Sequence, residues 1–239
     1  MSQLSSDIQV IPQQLFSSSA TQMTELGARA VSPDGRVFRY VKAGGTALVP
    51  GKLQQASAIV ANHQNIAVAA AAAIGATSVT VTLGATAATA NQYSGGVLIV
   101  NDVTGEGHTY KIKSHPAAEA SASLVVTLED AIVVALTTSS EISLIANLYN
   151  GVIVNPTTPT ASPVGVAIYP VAASEFGWIQ TKGIVSCLND GGTAVGLAVA
   201  PSQATAGAVK TGATTLDSVG RAYQAATSTE YNAIFIALD

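Results

Sequence analysis

The chain has 239 residues, of which only 10% are charged and 5% aromatic, with a net charge of −4 and a single cysteine. The surplus of acid argues against general binding to nucleic acid, and the lone Cys187 excludes an internal disulfide and speaks against a thiolate metal site. Ala, Gly, Ser, Thr and Val dominate, leaving few groups for acid–base chemistry and many small side chains suited to close contact with neighbours.

The first residues, "MSQLSSDIQVIPQQ", have neither the basic stretch nor the apolar core of a signal peptide, and "NPT" at Asn155 carries the proline that forbids glycosylation. The longest apolar run, "IAVAAAAAIGA", is about half of what a membrane helix needs, so the expectation is a soluble protein made in a cytoplasm. Residues 1–28 are polar, rich in Gln and Ser, and read as an extended or loosely ordered arm. "SPDGRVFRYVKAGG" predicts a turn, a short alternating strand with Val37 and Val41, and a Gly–Gly stop. Residues 29–52 carry Arg29, Arg36, Arg39, Lys42 and Lys52 against Asp34 alone, while the rest of the chain is acidic. These cations read either as solvated side chains on a strand pair or as a basic arm seated on an acidic partner. "KLQQASAIVANHQ" stays ambiguous, because Leu53, Ala56, Ile59 and Val60 fit a helical face that lacks caps.

From residue 66 onward the pattern predicts strands. "ATSVTVTLG" alternates Val79, Val81 and Leu83 with small polar residues, the period of a strand buried on one face. "GGVLIVNDV", "TYKIK", "SLVVTL", "AIVVAL", "EISLI" and "GVIVNP" follow at short intervals, and the alanine run 69–73 is read as extended because of these flanks. "NPTTPTASPVG" is a semi-rigid connector; beyond it come "VGVAIYP", "EFGWIQTKG", "IVSCLN", "AVGLAVAP", a Gly/Ala/Thr loop at 201–218 and a last strand, "NAIFIALD". The expected fold is all-β, with two small β-barrel or β-sandwich units, an extended N-terminal arm and little helix. The expected division is an arm with a basic strand segment (1–55), a first β domain (56–155), a connector (156–174) and a C-terminal β domain (175–239).

The most chemically loaded stretch is "NDVTGEGHTYKIK", residues 101–113. Its two glycines between strand-like runs predict a hairpin with Glu106 at the tip, His108 at the strand entrance, Lys111 and Lys113 outward, and Tyr110 and Ile112 inward. A tip offers no burial with which to shift a pKa, so the stretch is read as a turn rather than an active site. A metal shared by His108 and His115 with Asp102 or Glu106 is the weaker alternative. "GGTALVPGK" fails as a phosphate loop at Thr46 and Leu53, and "GEGHTY" fails as a dinucleotide fingerprint at Tyr110. Glu129 and Asp130 are adjacent, so on a strand they would point to opposite faces and could not work as a carboxylate pair. Cys187 is expected to be a buried small hydrophobe. Phe176 and Trp178 fall on one strand face with Gln180 and are expected to anchor the core or a seam between subunits, ahead of a sugar-stacking role for Trp178. No enzymatic activity and no cofactor are expected.

"EFGWIQTKG", the glycine-rich "DGGTAVGLAV" and "VGRAYQAATSTEYNAIFIALD" together resemble the C-terminal part of tailed-bacteriophage head decoration (cement) proteins. "LGARAVSPDGRVFRYVKAGGTALVPGKL" and "GATSVTVTLGATAATANQYSGGVLIVNDVTGEGHTYKIKS" are similar to phage structural proteins of the same kind. The resemblance implies a virion protein that binds the major capsid protein on the outer face of an icosahedral head, often as a homotrimer, and stabilises it without catalysis. Arg29, Arg36, Arg39 and Lys42 are the expected capsid contacts. A tail-tube or head-fibre component and a virion-borne carbohydrate-binding module are the alternatives; neither nucleic acid nor membrane is an expected partner.

Overall fold

The computed structural model describes residues 8–9, 12–211 and 218–239; the expectations for the start of the arm and for the end of the 201–218 loop lie outside the described residues. In chain order the elements are β1 (Ile8–Gln9), the one-turn helix α1 (Pro12–Leu15), β2 (Arg29–Val31), β3 (Val37–Ala43) and β4 (Leu53–Gln55). Then come a 3₁₀ turn at Ala61–His63, β5 (Ile66–Ala70), β6 (Ser78–Thr82), β7 (Val97–Asp102), β8 (Thr109–Ser114), β9 (Ser123–Leu128) and β10 (Glu141–Ile145). The remainder is β11 (Asn150–Val154), β12 (Pro163–Ala167), β13 (Phe176–Leu188), β14 (Ala198–Pro201), β15 (Val209–Thr211), β16 (Gly220–Ala222) and β17 (Tyr231–Ala237). The fold is all-β with almost no helix, as its composition and periodicity predict.

The chain divides into two compact units, residues 1–58 with 148–239, and residues 59–147. This differs from the consecutive division read from the sequence. The arm, the connector and the C-terminal strands share one unit because β3 pairs with β13, placing Trp178 opposite Tyr40 across a long separation in sequence. Such pairings leave no local signal.

In the 59–147 unit, β10, β5, β6, β9, β8 and β7 pair around a closed barrel, which removes every strand edge. The alternation seen in the sequence is realised: Val79 and Val81 on β6, Tyr110 and Ile112 on β8, and Leu124, Val126 and Leu128 on β9 all point inward. Tyr93, Ile132 and Leu136, from loops, complete this core.

In the other unit, β3, β11, β4, β12 and β13 also close on one another, because β3 meets β11 on one side and β13 on the other. The lumen holds Val41, Val152, Val164, Ala167 and Ile179. β13 is long enough to serve twice: Phe176–Gln180 line up with β3, and Lys182–Leu188 run beside β17, which continues into β16, β14 and β15. A separate core of Val185, Cys187, Val199, Val209, Ile234 and Ile236 lies under that second sheet. Strands replace the ambiguous helix at residues 53–55 and run through the expected connector at 163–167 and the expected loop at 209–211.

The arm is less loose than its composition suggests. Leu15 is buried against Phe38, Tyr40, Phe176 and Trp178, joined by Leu26 and Ala28. Ser19 and Phe176 exchange two backbone hydrogen bonds, and the Tyr40 hydroxyl accepts the Met23 amide at 3.0 Å. Covering by the arm explains why β3 is buried on both sides rather than alternating: Val41 and Ala43 face the lumen, and Phe38 and Tyr40 face the arm.

Candidate functional site

The four cations expected to meet a partner do not form one open patch. Arg29 and Arg39 stand opposite each other on β2 and β3. Arg39 grips Asp239 with two hydrogen bonds, Nε–Oδ2 at 2.8 Å and Nη2–Oδ1 at 2.5 Å, and donates to the Gly27 carbonyl at 2.9 Å. The Thr181 hydroxyl adds a third bond to the same carboxylate, 2.9 Å from Oδ2. The bonds from Arg39, then that from Thr181, hold the Asp239 carboxyl below its ordinary pKa against the opposing effect of burial. Arg36 pairs with Asp34 at 2.7 Å and lies over the Phe38 ring, and the Lys42 ammonium sits 5.5 Å from the centre of the Phe176 ring. Much of the positive charge in residues 29–52 is thus engaged inside the unit, on partners (Asp239 above all) too distant in sequence to be foreseen.

Phe176 and Trp178 are core residues. Tyr40 stacks on Phe176 with ring centres 6.1 Å apart and meets Trp178 edge-on at 5.1 Å. Trp178 is 7% exposed, too covered to be a flat platform for a sugar. Its residual exposure opens into a cleft of about 390 Å³ that the arm roofs with Ser17, Ser19, Met23 and Thr24.

The stretch at 101–113 is a hairpin connection between β7 and β8, with Glu106 exposed and His108 half-buried. Lys111 and Lys113 point out while Tyr110 and Ile112 point in. His108 Nδ1 donates to the Gly105 carbonyl at 3.0 Å, an intraloop bond that fixes the turn. His115 belongs to a different cluster. Its Nδ1 faces the Pro116 carbonyl at 2.8 Å, so that nitrogen carries the proton, and its Nε2 accepts the Tyr93 amide at 3.0 Å. The Tyr93 hydroxyl meets His63 Nδ1, and His63 Nε2 lies 2.9 Å from the Thr86 carbonyl. All three side chains are buried. Burial, chiefly, pushes the His115 pKa down and the Tyr93 pKa up to about 12, so both stay neutral and lock loops across this part of the barrel. No sequence signal marks the convergence of His63, His115 and Tyr93, because each lies outside the strands, where periodicity is lost. Among the described residues, no three of His, Cys, Asp and Glu come together as ligands would.

Glu129 and Asp130 are not on a strand; both are exposed in the turn that leaves β9. Cys187 is fully buried in β13, and burial pushes its thiol up to about 12, so it behaves as the small hydrophobe its context predicts.

Exposed apolar side chains are scattered over the described surface, and two groups of them are brought together by the strand order. On the open face of the second sheet, Ile184 is cross-strand neighbour to Phe235, and Tyr231 and Tyr223 stand nearby, 39–60% exposed. At one end of the closed six-stranded barrel, Ile74, Val103 and Val133 are 69%, 46% and 61% exposed. Ile184, Phe235 and Tyr231 lie on strands, whereas Ile74, Val103 and Val133 lie in the turns at one end of the barrel. Searches against protein-family models, curated proteins and solved structures find no match for this chain.

Proposed function

We propose that this protein is a structural component of a virus particle, a decoration protein that binds the outer surface of an icosahedral phage head and stabilises it through many weak, repeated contacts. The observation that carries this reading is the pair of exposed apolar groups, one on the strands of the open second sheet and one on the tied loops of the closed six-stranded barrel. The sequence resemblance to head decoration proteins supplies the kind of neighbour, the major capsid protein. Arg29, Arg36, Arg39 and Lys42 are the proposed electrostatic contributors, the charge of Arg36 being partly offset by Asp34 and that of Arg39 and Arg29 by Asp239. Several copies engaging a lattice at once gain affinity by on the order of a hundredfold or more without new contacts. The test is sedimentation of the purified protein with expanded empty heads of the phage that encodes it. Saturable co-pelleting is the expected result, weakened by Arg29→Glu with Lys42→Glu; protein left in the supernatant at every ratio would overturn the proposal.

A further inference from the structure

The two exposed apolar surfaces carry opposite charge. At the barrel end, three loops are sewn together: the Gly75 amide donates to the Ile132 carbonyl at 2.9 Å, Ala72 and Leu136 exchange two backbone bonds, and the Ser140 hydroxyl donates to the Thr104 carbonyl at 2.8 Å. Around the exposed Ile74, Val103 and Val133 stand Asp102, Glu106, Glu129, Asp130 and Glu141, all exposed, with Lys111 to offset them. This end is apolar and acidic.

The open face of the second sheet is apolar and basic. Registers place Ile184, Phe235 and Arg221 in one row across β13, β17 and β16, and Lys182 beside Ala237 in the next. Lys182 and Arg221 are exposed there with Tyr223 and Tyr231. Asp239 continues the alternation of β17, but Arg39 and Thr181 hold its carboxylate, and Glu230 stands only at the far end of the strand.

We infer that the acidic, apolar barrel end of one copy docks on the basic, apolar sheet face of a second copy, so that the protein associates head to tail. Unlike surfaces that match in both charge and apolar character form a heterologous contact, which propagates until a ring closes or a filament grows. The contact uses the same two surfaces on which the head-binding reading rests, but it is measured on the purified chain without heads, so failure of self-association and failure of head binding are told apart.

Two double variants test it by light scattering after size exclusion, over about 1–100 µM protein, the range in which a modest interface assembles. One is Lys182→Glu with Arg221→Glu; the other is Glu129→Lys with Asp130→Lys. The wild-type chain is expected to associate with rising concentration, and less so as salt rises from about 0.05 to 0.5 M. The first variant presents acidic charge at both surfaces, and the second cancels the charge of the barrel end, setting Asp102, Glu106 and Glu141 against Lys111 and two new lysines, so each is expected to bind itself at least tenfold more weakly. Mixed together, the unaltered acidic end of one variant meets the unaltered basic face of the other, so the two should pair again, a rescue that misfolded variants could not give. A wild-type chain that stays monomeric throughout, a variant that associates like wild type, or a mixture that stays monomeric would each overturn the inference.

Discussion

Arg39 and Asp239 show how one ion pair can tie the ends of a unit together. The guanidinium side chain is 23% exposed and the carboxylate 17%, dry enough for a two-toothed bond to matter and wet enough to spare the full cost of burying charge. Arg39→Ala would leave Asp239 with the Thr181 hydroxyl and the more distant charge of Arg29, and the expected loss is about 1–3 kcal/mol in urea unfolding at neutral pH. Because the folded carboxyl has a lowered pKa, this stabilisation is present above the unfolded value of about 3.9 and disappears as pH falls through the lower folded value. The difference between wild type and Arg39→Ala should therefore shrink at the acid end of a pH series. His115 acts in the opposite sense for its charge type. Its folded pKa is lowered, mainly by burial, and protonating Nε2 would set two N–H groups, its own and that of Tyr93, against each other. The folded barrel holds its full stability above the unfolded value of about 6.5 and loses it progressively as pH drops below that value. Thermal melts from pH 8 to 5 should show this decline, and His115→Gln, which cannot titrate, should flatten it while lowering the plateau.

At the scale of elements, β13 decides the architecture of its unit. It leaves β3 and takes up β17 with a register irregularity between Gln180 and Lys182, and Gly183 follows with φ of +100°, a conformation that side chains rarely adopt. A Cβ at Gly183 would also lie 2.9 Å from Arg36 Cγ. Gly183→Ala is expected to cost about 1–3 kcal/mol, read as a lower denaturant midpoint, and to loosen β17 first, as hydrogen exchange would report. The glycine in "TKGIV" is visible in the sequence; its task is not, since nothing local says that the strand changes partners there. The same limit separates the legible strands from the rest. In "SVTVT" and "TYKIK" the inward and outward residues can be assigned from the two-residue period alone, because a strand in a one-sided barrel wall writes its burial into alternate positions. "VFRYVKA" misleads, because the arm covers the face that would otherwise be polar. "LQQ" hides a strand because Gln54 and Gln55 are buried beside Leu53 on β4, so no two-residue alternation marks it. Of the candidate contacts, the cations of residues 29–52 could be read as a group, but their internal partner Asp239 could not.

For the whole molecule, the consequential fact is that the 59–147 barrel is inserted within the sequence of the other unit and carries its own core. Each core is built from side chains of its own unit, so the two are expected to lose structure as separate cooperative units. Leu124 fills the closed six-stranded barrel and Ile179 the lumen of the five-stranded one; both are fully buried. Truncation to alanine removes apolar contact and leaves a cavity, at about 2–5 kcal/mol in either place. In a barrel of this size such a loss lowers the melting point by about 10 °C or more, and by less in the larger unit. Calorimetry of the full chain should resolve two transitions, with Leu124→Ala moving one and Ile179→Ala the other. If each substitution moved both transitions together, the cores would be coupled, and surfaces on the two units could not be varied independently as the charge-reversal experiment requires. Separate movement would mean that a neighbouring copy or a capsid lattice can engage one unit without straining the other, the property that a protein making many simultaneous contacts most needs.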